Sequence, residues 1–459
     1  MIKTGSILSY LGIFLGINGV IMLIPAIAGG LMGEGVFYNY QIAGAASFIT
    51  GFLLSYRFRR SQMDLGSVMV LASLMIILVS IIGAVPFLPY ATPADALFES
   101  VSGFTTTGIT VLHPEQLPKS LLLWRSLTQW LGGIGIIILF IVTLPSAGIS
   151  SYHTQGGSAD ERGVKSRVPR SIRRVGLVYV FYTLLGIGLF ALAGMGIFDA
   201  VAHSLTAIST GGFSTKNSSL AFFSSPAINA VAILLMVLGS TSFIVHGYIW
   251  KGRIRSYLKN TEVWMFWGIV AAFSVIVFLM GAWDISSSVF YSVSSLTTSG
   301  FRVSEIQPGP VLLPLIVMMV FGGFAGSASG GIKLIRIFVL AKGVWWYGKK
   351  LVLPKKAIVP FRAGEGFIET GELTKVFMFA LAYLAILAFT TICLYAMGYP
   401  AMTSAFEAAS AQGNAGFSLV DAASMPVLGK ILLMASMIIG RLEIFPVVAL
   451  LLSLLRIRH

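Results

Sequence analysis

Four short stretches of the chain carry the same small and hydroxyl residues at the same spacing around a glycine. Thr or Asn lies two positions before this glycine, a small residue lies one before, and Ile or Phe follows it. Glycine adopts backbone angles that are closed to other residues, and such angles can turn successive carbonyls toward one axis. Rings of carbonyls replace the hydration shell of K+ in ion filters. The pattern therefore predicts a K+ filter, with K+ bound at carbonyls only, at Thr106, Thr107, Gly108, Thr210, Gly211, Gly212, Thr298, Ser299, Gly300, Asn414, Ala415 and Gly416.

Positions upstream of these pore loops (residues 106–109, 210–213, 298–301 and 414–417) match as well. A hydroxyl residue lies six positions before each glycine, at Ser102, Thr206, Ser294 and Ser410. Thirteen positions before it lie Asp95, Asp199, Ser287 and Thr403. Asp, Ser and Thr favour helix N-caps, so we predict that short pore helices begin there and point their negative C-terminal ends at a cation. Four coincidental glycine turns are the alternative, but the matching context favours true repeats.

Membrane-spanning helices must position these loops. The chain has 459 residues, of which 56% are hydrophobic and 10% charged, a composition that soluble domains rarely have. Apolar runs of about 20 residues, the length that crosses a bilayer, recur along it. We predict spans at 7–29, 39–56, 66–90, 121–145, 174–197, 226–249, 262–282, 310–341, 375–398 and 427–455. The pore loops lie in segments too short to cross, at 94–112, 199–214, 285–302 and 403–418, which indicates re-entrant segments.

The predicted fold is an all-α polytopic membrane protein. It has two leading transmembrane helices and four repeats of first helix, pore helix and second helix (M1–pore helix–M2) around a pseudo-fourfold pore. The leading pair occupies 1–64, and the repeats occupy 65–150, 151–257, 258–345 and 346–459. Every pore loop enters from the same side. This common topology favours a pore over a carrier, since carriers often contain inverted repeats.

The positive charge is concentrated in short segments between the spans. The net charge is +14, and placing the first lysine inside puts most of the Lys and Arg on one membrane face. This distribution follows the positive-inside rule. We therefore expect a multi-pass protein of the plasma (inner) membrane, with both termini cytoplasmic and the lipid bilayer, not nucleic acid, as its partner.

Several motifs resemble the Trk/Ktr/HKT superfamily of K+ transport proteins, most closely its TrkH branch. The pore loops FTTTG (104–108), STGGF (209–213) and NAGF (414–417) are similar to the filter segments of that superfamily. Further similar motifs are LWR (123–125), WLGG (130–133), GSASGGIK (326–333) and GRLEIF (440–445). The resemblance covers essentially residues 66–455.

The resemblance implies how such a chain assembles and what it transports. It implies four repeats around one pore per subunit, a homodimer, and a cytosolic ring of nucleotide-binding regulatory subunits (TrkA-like). All four aligned positions are glycine here, a pattern that goes with K+ preference in this superfamily. A serine in the first loop goes with Na+ transport.

A glycine-rich loop (residues 322–331) interrupts the apolar run of the third repeat. We interpret it as a gate below the filter, because irregular backbone is tolerated in a membrane where it lines a cavity. Small-residue helix packing is the alternative. The candidate gate residues are Gly322, Gly323, Gly326, Ser327, Ser329, Gly330 and Gly331.

Two arginines lie at places where a cation needs an explanation. Arg441 lies near the middle of the last predicted span, where a charge is costly and marks function by default. We hypothesise that it faces the pore, opposes the glycine-rich loop and sets an electrostatic barrier. A structural pairing with a carboxylate or with backbone carbonyls is the alternative. Arg302 lies two residues after Gly300, and we expect it to turn away from the axis toward Glu305.

Acidic residues near the loops are expected to make the outer mouth attractive to cations. They are Asp95, Glu99, Glu115, Asp199, Glu305, Glu407 and Asp421. No nucleotide-binding loop, metal-ligand spacing or catalytic constellation is found in the sequence, and Cys393 is alone. We therefore expect a transporter without a cofactor and not an enzyme. A Na+-coupled or Na+-permeable relative, or a secondary carrier of another substrate, remains the alternative.

Overall fold

The computed structural model describes residues 3–35, 37–61, 63–143, 161–250, 252–354, 359–363, 366–367 and 370–455. The two leading helices form an antiparallel pair packed at close range. They are α1 (Thr4–Ile21), which continues into α2 (Leu23–Leu31), and α3 (Phe37–Arg57). A Cβ added to Gly12 or Gly19 would overlap a backbone carbonyl of α3. Small residues allow two helix backbones to approach this closely in a membrane.

The next helices repeat one pattern four times: a long helix, a short helix, a loop and a second long helix. The first unit has α4 (Leu65–Gly83), α5 (Pro93–Phe104) and α6 (Lys119–Thr143). The second has α7 (Glu161–Leu192), α8 (Ile197–Ile208), α9 (Pro226–Ser240), α10 (Phe243–Trp250) and α11 (Ile254–Leu258). The third has α12 (Thr261–Leu279), α13 (Ile285–Leu296), α14 (Leu312–Phe321) and α15 (Leu334–Val352). The fourth has α16 (Thr370–Ala396), α17 (Ala401–Gly413), α18 (Val427–Arg441) and α19 (Phe445–Leu454).

Non-helical elements are short in the described part of the chain. Strands β1 (Arg362–Ala363) and β2 (Gly366–Phe367) pair antiparallel before α16, with Arg362 opposite Phe367. Single 3-10 turns lie at Val85–Phe87, Pro114–Gln116 and Ser219–Phe223. The predicted all-α fold is therefore confirmed. The predicted boundary between the first two repeats, at 150, lies outside the described residues.

The pore helices α5, α8, α13 and α17 begin three residues earlier than predicted. Their N-caps are Thr92, Gly196, Asp284 and Pro400, so Asp95, Asp199, Ser287 and Thr403 lie in the first turn and do not cap it. The Thr92 side chain accepts the amide of Asp95 at 3.3 Å, and proline suits the first turn because it has no amide hydrogen to leave unpaired. The helices are 12 or 13 residues long, about three turns.

The exposed cap of the third pore helix is stabilised by side-chain hydrogen bonds of its own. The Asp284 carboxylate accepts the Ser286 amide at 3.1 Å. The hydroxyls of Ser286 and Ser287 also donate to it, and these hydrogen bonds hold the pKa of Asp284 below its ordinary value. A carboxylate at this position also interacts favourably with the positive end of the helix dipole.

The second long helices of units two, three and four are broken. The break in unit three was predicted from its glycines, but 226–249 and 427–455 were predicted as continuous spans, and this is wrong. α9 stops at Ser240 and α10 starts at Phe243, while α18 and α19 meet at 110°. Glu443 and Ile444 at that corner both have positive φ, 62° and 66°. Among the described residues six helices are long and apolar enough to cross a membrane, or seven if the bent pair α18–α19 counts as one span.

Candidate ion pathway

The four pore loops close into one ring. A Cβ added to each aligned glycine would overlap a carbonyl oxygen of the next loop, in the pairs Gly108 with Gly211, Gly212 with Ser299, Gly300 with Ala415, and Gly416 with Thr107. The contacts therefore run from loop one to two, three, four and back to one. Substituting any of these glycines would push a side chain against a neighbouring carbonyl of the ring.

The backbone of the four loops is nearly identical. The aligned glycines have φ of 94°, 76°, 70° and 86° in Gly108, Gly212, Gly300 and Gly416. The residue two positions earlier is also left-handed, with φ of 53°, 52°, 54° and 53° in Thr106, Thr210, Thr298 and Asn414. Positive φ is uncommon for a β-branched residue such as Thr. Its occurrence at one aligned position in all four loops indicates a conformation that the surrounding ring imposes.

Both flanking columns of the sequence alignment have a structural role. The amide just before each glycine donates to the carbonyl of the hydroxyl residue five positions upstream of it, at 2.8–2.9 Å, in the pairs Thr107 with Ser102, Gly211 with Thr206, Ser299 with Ser294, and Ala415 with Ser410. These bonds end each pore helix at the same point. The residue after each glycine is buried at 0–2% exposure, at Ile109, Phe213, Phe301 and Phe417. Its side chain anchors the loop in the apolar interior.

A cavity of about 190 Å³ lies on one side of the ring. The residues two positions after the four glycines all line it: Thr110, Ser214, Arg302 and Ser418. The cavity therefore shares the approximate fourfold arrangement of the loops and forms a mouth to the ring.

Arg302 lines this mouth but does not turn toward Glu305. Its Nη2 donates to the carbonyl of Asn217 at 3.4 Å, and its backbone amide donates to the Ser219 hydroxyl at 3.2 Å. The expected direction was therefore wrong. Arg302 therefore attaches the third loop to the segment that follows the second loop, through both its backbone and its side chain.

Two of the acids expected at the mouth are buried instead. Glu99 is 0% and Glu407 2% exposed, on the sides of α5 and α17 that pack behind the loops. Glu99 forms an ion pair of 2.7 Å with Arg125, whose guanidinium also lies 4.1 Å from the centre of the Phe213 ring. These two carboxylates therefore support the loops and do not face the cavity.

The glycine-rich loop lies against the opposite side of the ring. The Gly330 amide donates to the Thr298 hydroxyl at 2.7 Å, and a Cβ on Gly330 would overlap the Gly413 carbonyl at the end of α17. Gly322, Gly326 and Gly331 have positive φ, between 69° and 76°. The chain folds back on itself here, because the amides that follow the loop bond to carbonyls at the end of α14, Ile332 to Val320 and Lys333 to Phe321, each at 2.9 Å.

Unit two supplies most of the backbone contacts to the glycine-rich loop. The amides of Phe324 and Ala328 donate to the carbonyls of Ser240 and Gly239 at 3.1 Å, and the Phe243 amide donates to the Gly326 carbonyl at 3.3 Å. These groups flank the break between α9 and α10. The loop thus pairs with groups that a continuous helix would have paired internally, which explains why the helix breaks just after Gly239 and Ser240.

Charged side chains hold the same loop. The Glu262 carboxylate accepts the Ala325 amide at 3.0 Å. Lys333 is 4% exposed and donates to the Ser329 carbonyl. Ser327 and Ser329 bond to each other at 2.7 Å. The loop is therefore buried along its length and held by hydrogen bonds from both backbone and side chains.

Arg441 joins the glycine-rich loop to the first unit. It is 2% exposed, and its Nη1 donates to the Ala328 carbonyl at 2.6 Å while its Nη2 donates to the Gly132 carbonyl at 2.8 Å. Glu443 pairs elsewhere, with Arg336 at 2.5 Å. Both interpretations of Arg441 remain supported. It lies against the glycine-rich loop, as a pore barrier would, and it also bonds backbone carbonyls, as a structural residue would.

These features define a class of protein. Four re-entrant loops closed into a ring, a mouth on one side and an enclosed loop on the other make a four-repeat membrane transport protein. A sequence model of the TrkH family, described as "Cation transport protein", matches residues 39–268 and 274–455. The chain belongs to the TrkH family.

Individual relatives agree along nearly the whole chain. An uncharacterized cation transporter of Methanocaldococcus jannaschii is 33% identical over 97% of this chain and 94% of its own length. The Trk system potassium uptake protein TrkH of Halomonas elongata is 30% identical, covering 97% of each. The crystal structure of the potassium transporter TrkH from Vibrio parahaemolyticus superposes with a TM-score of 0.87 at 28% identity, covering 98% of each chain. The predicted family, a multi-pass transporter and not an enzyme, is confirmed.

Proposed function

We propose that the chain mediates K+ uptake across the cell membrane through the ring of pore loops. The observation that carries this proposal is the closed sequence of glycine–carbonyl contacts from Gly108 around to Gly416 and Thr107. A ring of uncharged carbonyls can replace the hydration shell of a cation. The Halomonas and Vibrio relatives are both named for potassium. The filter residues are those of positions 106–108, 210–212, 298–300 and 414–416, with K+ as the transported ion and no cofactor in this chain.

The glycine-rich loop is the proposed gate, and the enclosed arrangement is its closed state. Residues 322–331 lie directly beyond Thr298, and Arg441 binds the Ala328 carbonyl there. A buried guanidinium on the ion path adds an electrostatic barrier to K+. Opening requires these hydrogen bonds to break, which a cytosolic nucleotide-binding ring of the TrkA type would drive in a homodimer with cytoplasmic termini. The family resemblance supports these partners.

A Na+-permeable or Na+-coupled relative is the second candidate. Glycine at all four aligned positions favours K+, because serine in the first loop accompanies Na+ transport in the superfamily. A secondary carrier of another substrate has less support, because the four units lie in one topology around a common ring.

Cation flux into proteoliposomes tests the proposal. K+, Rb+ and Na+ flux are compared for the wild type, Gly108→Ser and the control Gly309→Ser, where no atom lies within 4 Å of an added Cβ. We expect K+ and Rb+ flux well above Na+ in the wild type and control, and lower selectivity in Gly108→Ser. An absence of cation flux in every protein, with a cytosolic regulatory ring added, would contradict a pore.

A further inference from the structure

One polar residue lies nine positions before each filter glycine, on the buried side of each pore helix. The four residues are Glu99, His203, Tyr291 and Glu407. Their exposure is 0–2%. Because their chemical types differ, an alignment by residue type does not single them out. Their contacts do single them out. Each side chain bonds to the non-helical segment that leaves the filter in its own unit, called here the exit strand (residues 110–112, 214–216, 302–304 and 418–420).

The two glutamates make the same set of bonds. Glu99 accepts the Thr110 hydroxyl at 2.9 Å and the Val111 amide at 3.1 Å. Glu407 accepts the Ser418 hydroxyl at 3.0 Å and the Leu419 amide at 2.6 Å. In both units the donors are thus the side chain two positions and the amide three positions after the glycine. Hydrogen bonds to a carboxylate are about twice as strong as neutral ones.

His203 makes the same contact in the second unit with its imidazole ring. Its Nε2 lies 2.9 Å from the Ser214 hydroxyl, again two positions after the glycine. Its Nδ1 lies 2.7 Å from the Asp199 carbonyl, which can only accept. Nδ1 therefore carries the proton, and Nε2 accepts the hydroxyl of Ser214.

Tyr291 contacts a later residue of the exit strand because Arg302 occupies the position of the short hydroxyl side chain. Its hydroxyl donates to the Ser304 carbonyl at 2.5 Å and accepts the Ser304 amide at 3.0 Å. All four exit strands are therefore bonded from behind by one side chain of the pore helix.

We propose that Glu99, His203, Tyr291 and Glu407 are positioning residues that set the diameter of the carbonyl ring and hence its preference for K+ over Na+. This rests on the proposed function of the ring. The residue and the glycine lie on either side of one short loop, so shifting the exit strand shifts the carbonyls next to it.

Glu407 is the most informative member. Glu99 also pairs with Arg125, whereas no Lys or Arg forms an ion pair with Glu407 among the described residues. Its charge is used only on the exit strand, through Ser418, Leu419 and Val420. A glutamine would replace one acceptor oxygen by an NH2 donor. The carbonyl oxygen can keep the amides of Leu419 and Val420, which both bond Oε1, while the NH2 group takes the place of Oε2 beside the Ser418 hydroxyl. The Ser418 hydroxyl must then accept instead of donate, and the bonds that hold the exit strand lose their charge assistance.

The experiment measures the ratio of Na+ to Rb+ flux in proteoliposomes, with the thermal midpoint of each purified protein. The variants are Glu407→Gln, Ser418→Ala and their combination, with Glu372→Gln, a surface glutamate paired to Lys375, as the matched control. We expect the ratio to rise by about fivefold or more in Glu407→Gln, the effect of losing one charge-assisted hydrogen bond. Ser418→Ala should also raise the ratio. The double variant should raise it by less than the two single effects combined, because both residues act on one exit strand. Glu372→Gln should leave it unchanged.

The outcomes separate this inference from the proposed function. A folded Glu407→Gln protein with the wild-type ratio overturns the inference alone. If that variant does not fold, an unchanged ratio in Ser418→Ala overturns it. Wild-type protein without K+ or Rb+ flux, with a cytosolic regulatory ring added, overturns both, whereas a raised ratio with an unchanged thermal midpoint supports a positioning role and not a general loss of structure.

Discussion

Arg441 and Ala328 are joined by a hydrogen bond of 2.6 Å although 113 residues separate them in the chain. The other arm of the same guanidinium reaches Gly132 in the first unit. The glycine-rich loop therefore cannot leave its position without breaking a bond to a buried charge. Leaving such a charge without partners is strongly unfavourable, so this residue holds the glycine-rich loop in its buried position.

Arg441→Ala is expected to raise K+ or Rb+ flux in the absence of any regulatory subunit, by about tenfold or more for two lost hydrogen bonds. Arg441→Lys separates the two interpretations of this residue. It keeps the positive charge but not the planar fork that reaches two carbonyls. Low flux in Arg441→Lys would indicate an electrostatic barrier, and high flux would indicate that the hydrogen bonds close the loop. Flux equal to wild type in both variants would contradict a gating role.

Glu262→Ala is expected to weaken the attachment of the glycine-rich loop to the start of α12. The Glu262 carboxylate accepts the Ala325 amide at 3.0 Å. Removing the acceptor leaves a buried amide unpaired, at a cost of about 1–3 kcal/mol. We expect a lower thermal midpoint and higher basal Rb+ flux. Glu262→Gln is the control, since its carbonyl oxygen can still accept the amide, and it should remain close to wild type in flux.

The sequence predicts the ring of loops better than it predicts the helices around it. The columns aligned on Gly108 and Gly300 reflect local backbone requirements, and those act within a few residues. The break after Ser240 has a remote cause, because the groups that pair with it belong to Phe324 and Ala328 of another unit. A single glycine before it, Gly239, does not distinguish a break from close helix packing, so the prediction of one continuous span failed.

The acids and the helix caps were misplaced because their position depends on the surrounding fold and not only on the local sequence. Glu99 and Glu407 were expected at the mouth because charged residues near a pore usually face water. A helix of three turns has both a buried and an open side, and composition alone does not assign a residue to either. The caps were placed three residues too late because Asp95 and Asp199 are equally suited to the first turn, where they also interact favourably with the helix dipole.

Gly212→Ala is expected to abolish selective transport. The substitution combines a positive φ of 76° with an overlap between the new Cβ and the Ser299 carbonyl. The left-handed conformation alone costs about 1–2 kcal/mol for a residue with a Cβ, and the overlap must be relieved by moving the ring. K+ flux should fall by about tenfold or more, or Na+ flux should approach it. Gly188→Ala, where no atom lies within 4 Å of an added Cβ, is the matched control and should transport normally.

Asp95→Ala should destabilise the protein without changing its ion preference. The Asp95 carboxylate pairs with Lys430 at 2.5 Å, which joins the first pore helix α5 to α18 of the fourth unit. Lys430 is 5% exposed and, among the described residues, keeps only its hydrogen bond to the Ala423 carbonyl when the carboxylate is removed. A charged donor that loses its main acceptor costs about 1–3 kcal/mol, which should appear as a lower thermal midpoint.

The junction between units four and one is where the ring closes, so this pair tests closure separately from the filter. Lys430→Met should lower the midpoint less than Asp95→Ala, because it leaves a carboxylate of 19% exposure near water instead of a buried ammonium. The ratio of Na+ to Rb+ flux should stay at the wild-type value in both, unlike in Glu407→Gln. A change of that ratio in Asp95→Ala would mean that the contact between units, and not the bonding behind each loop, sets the geometry of the filter.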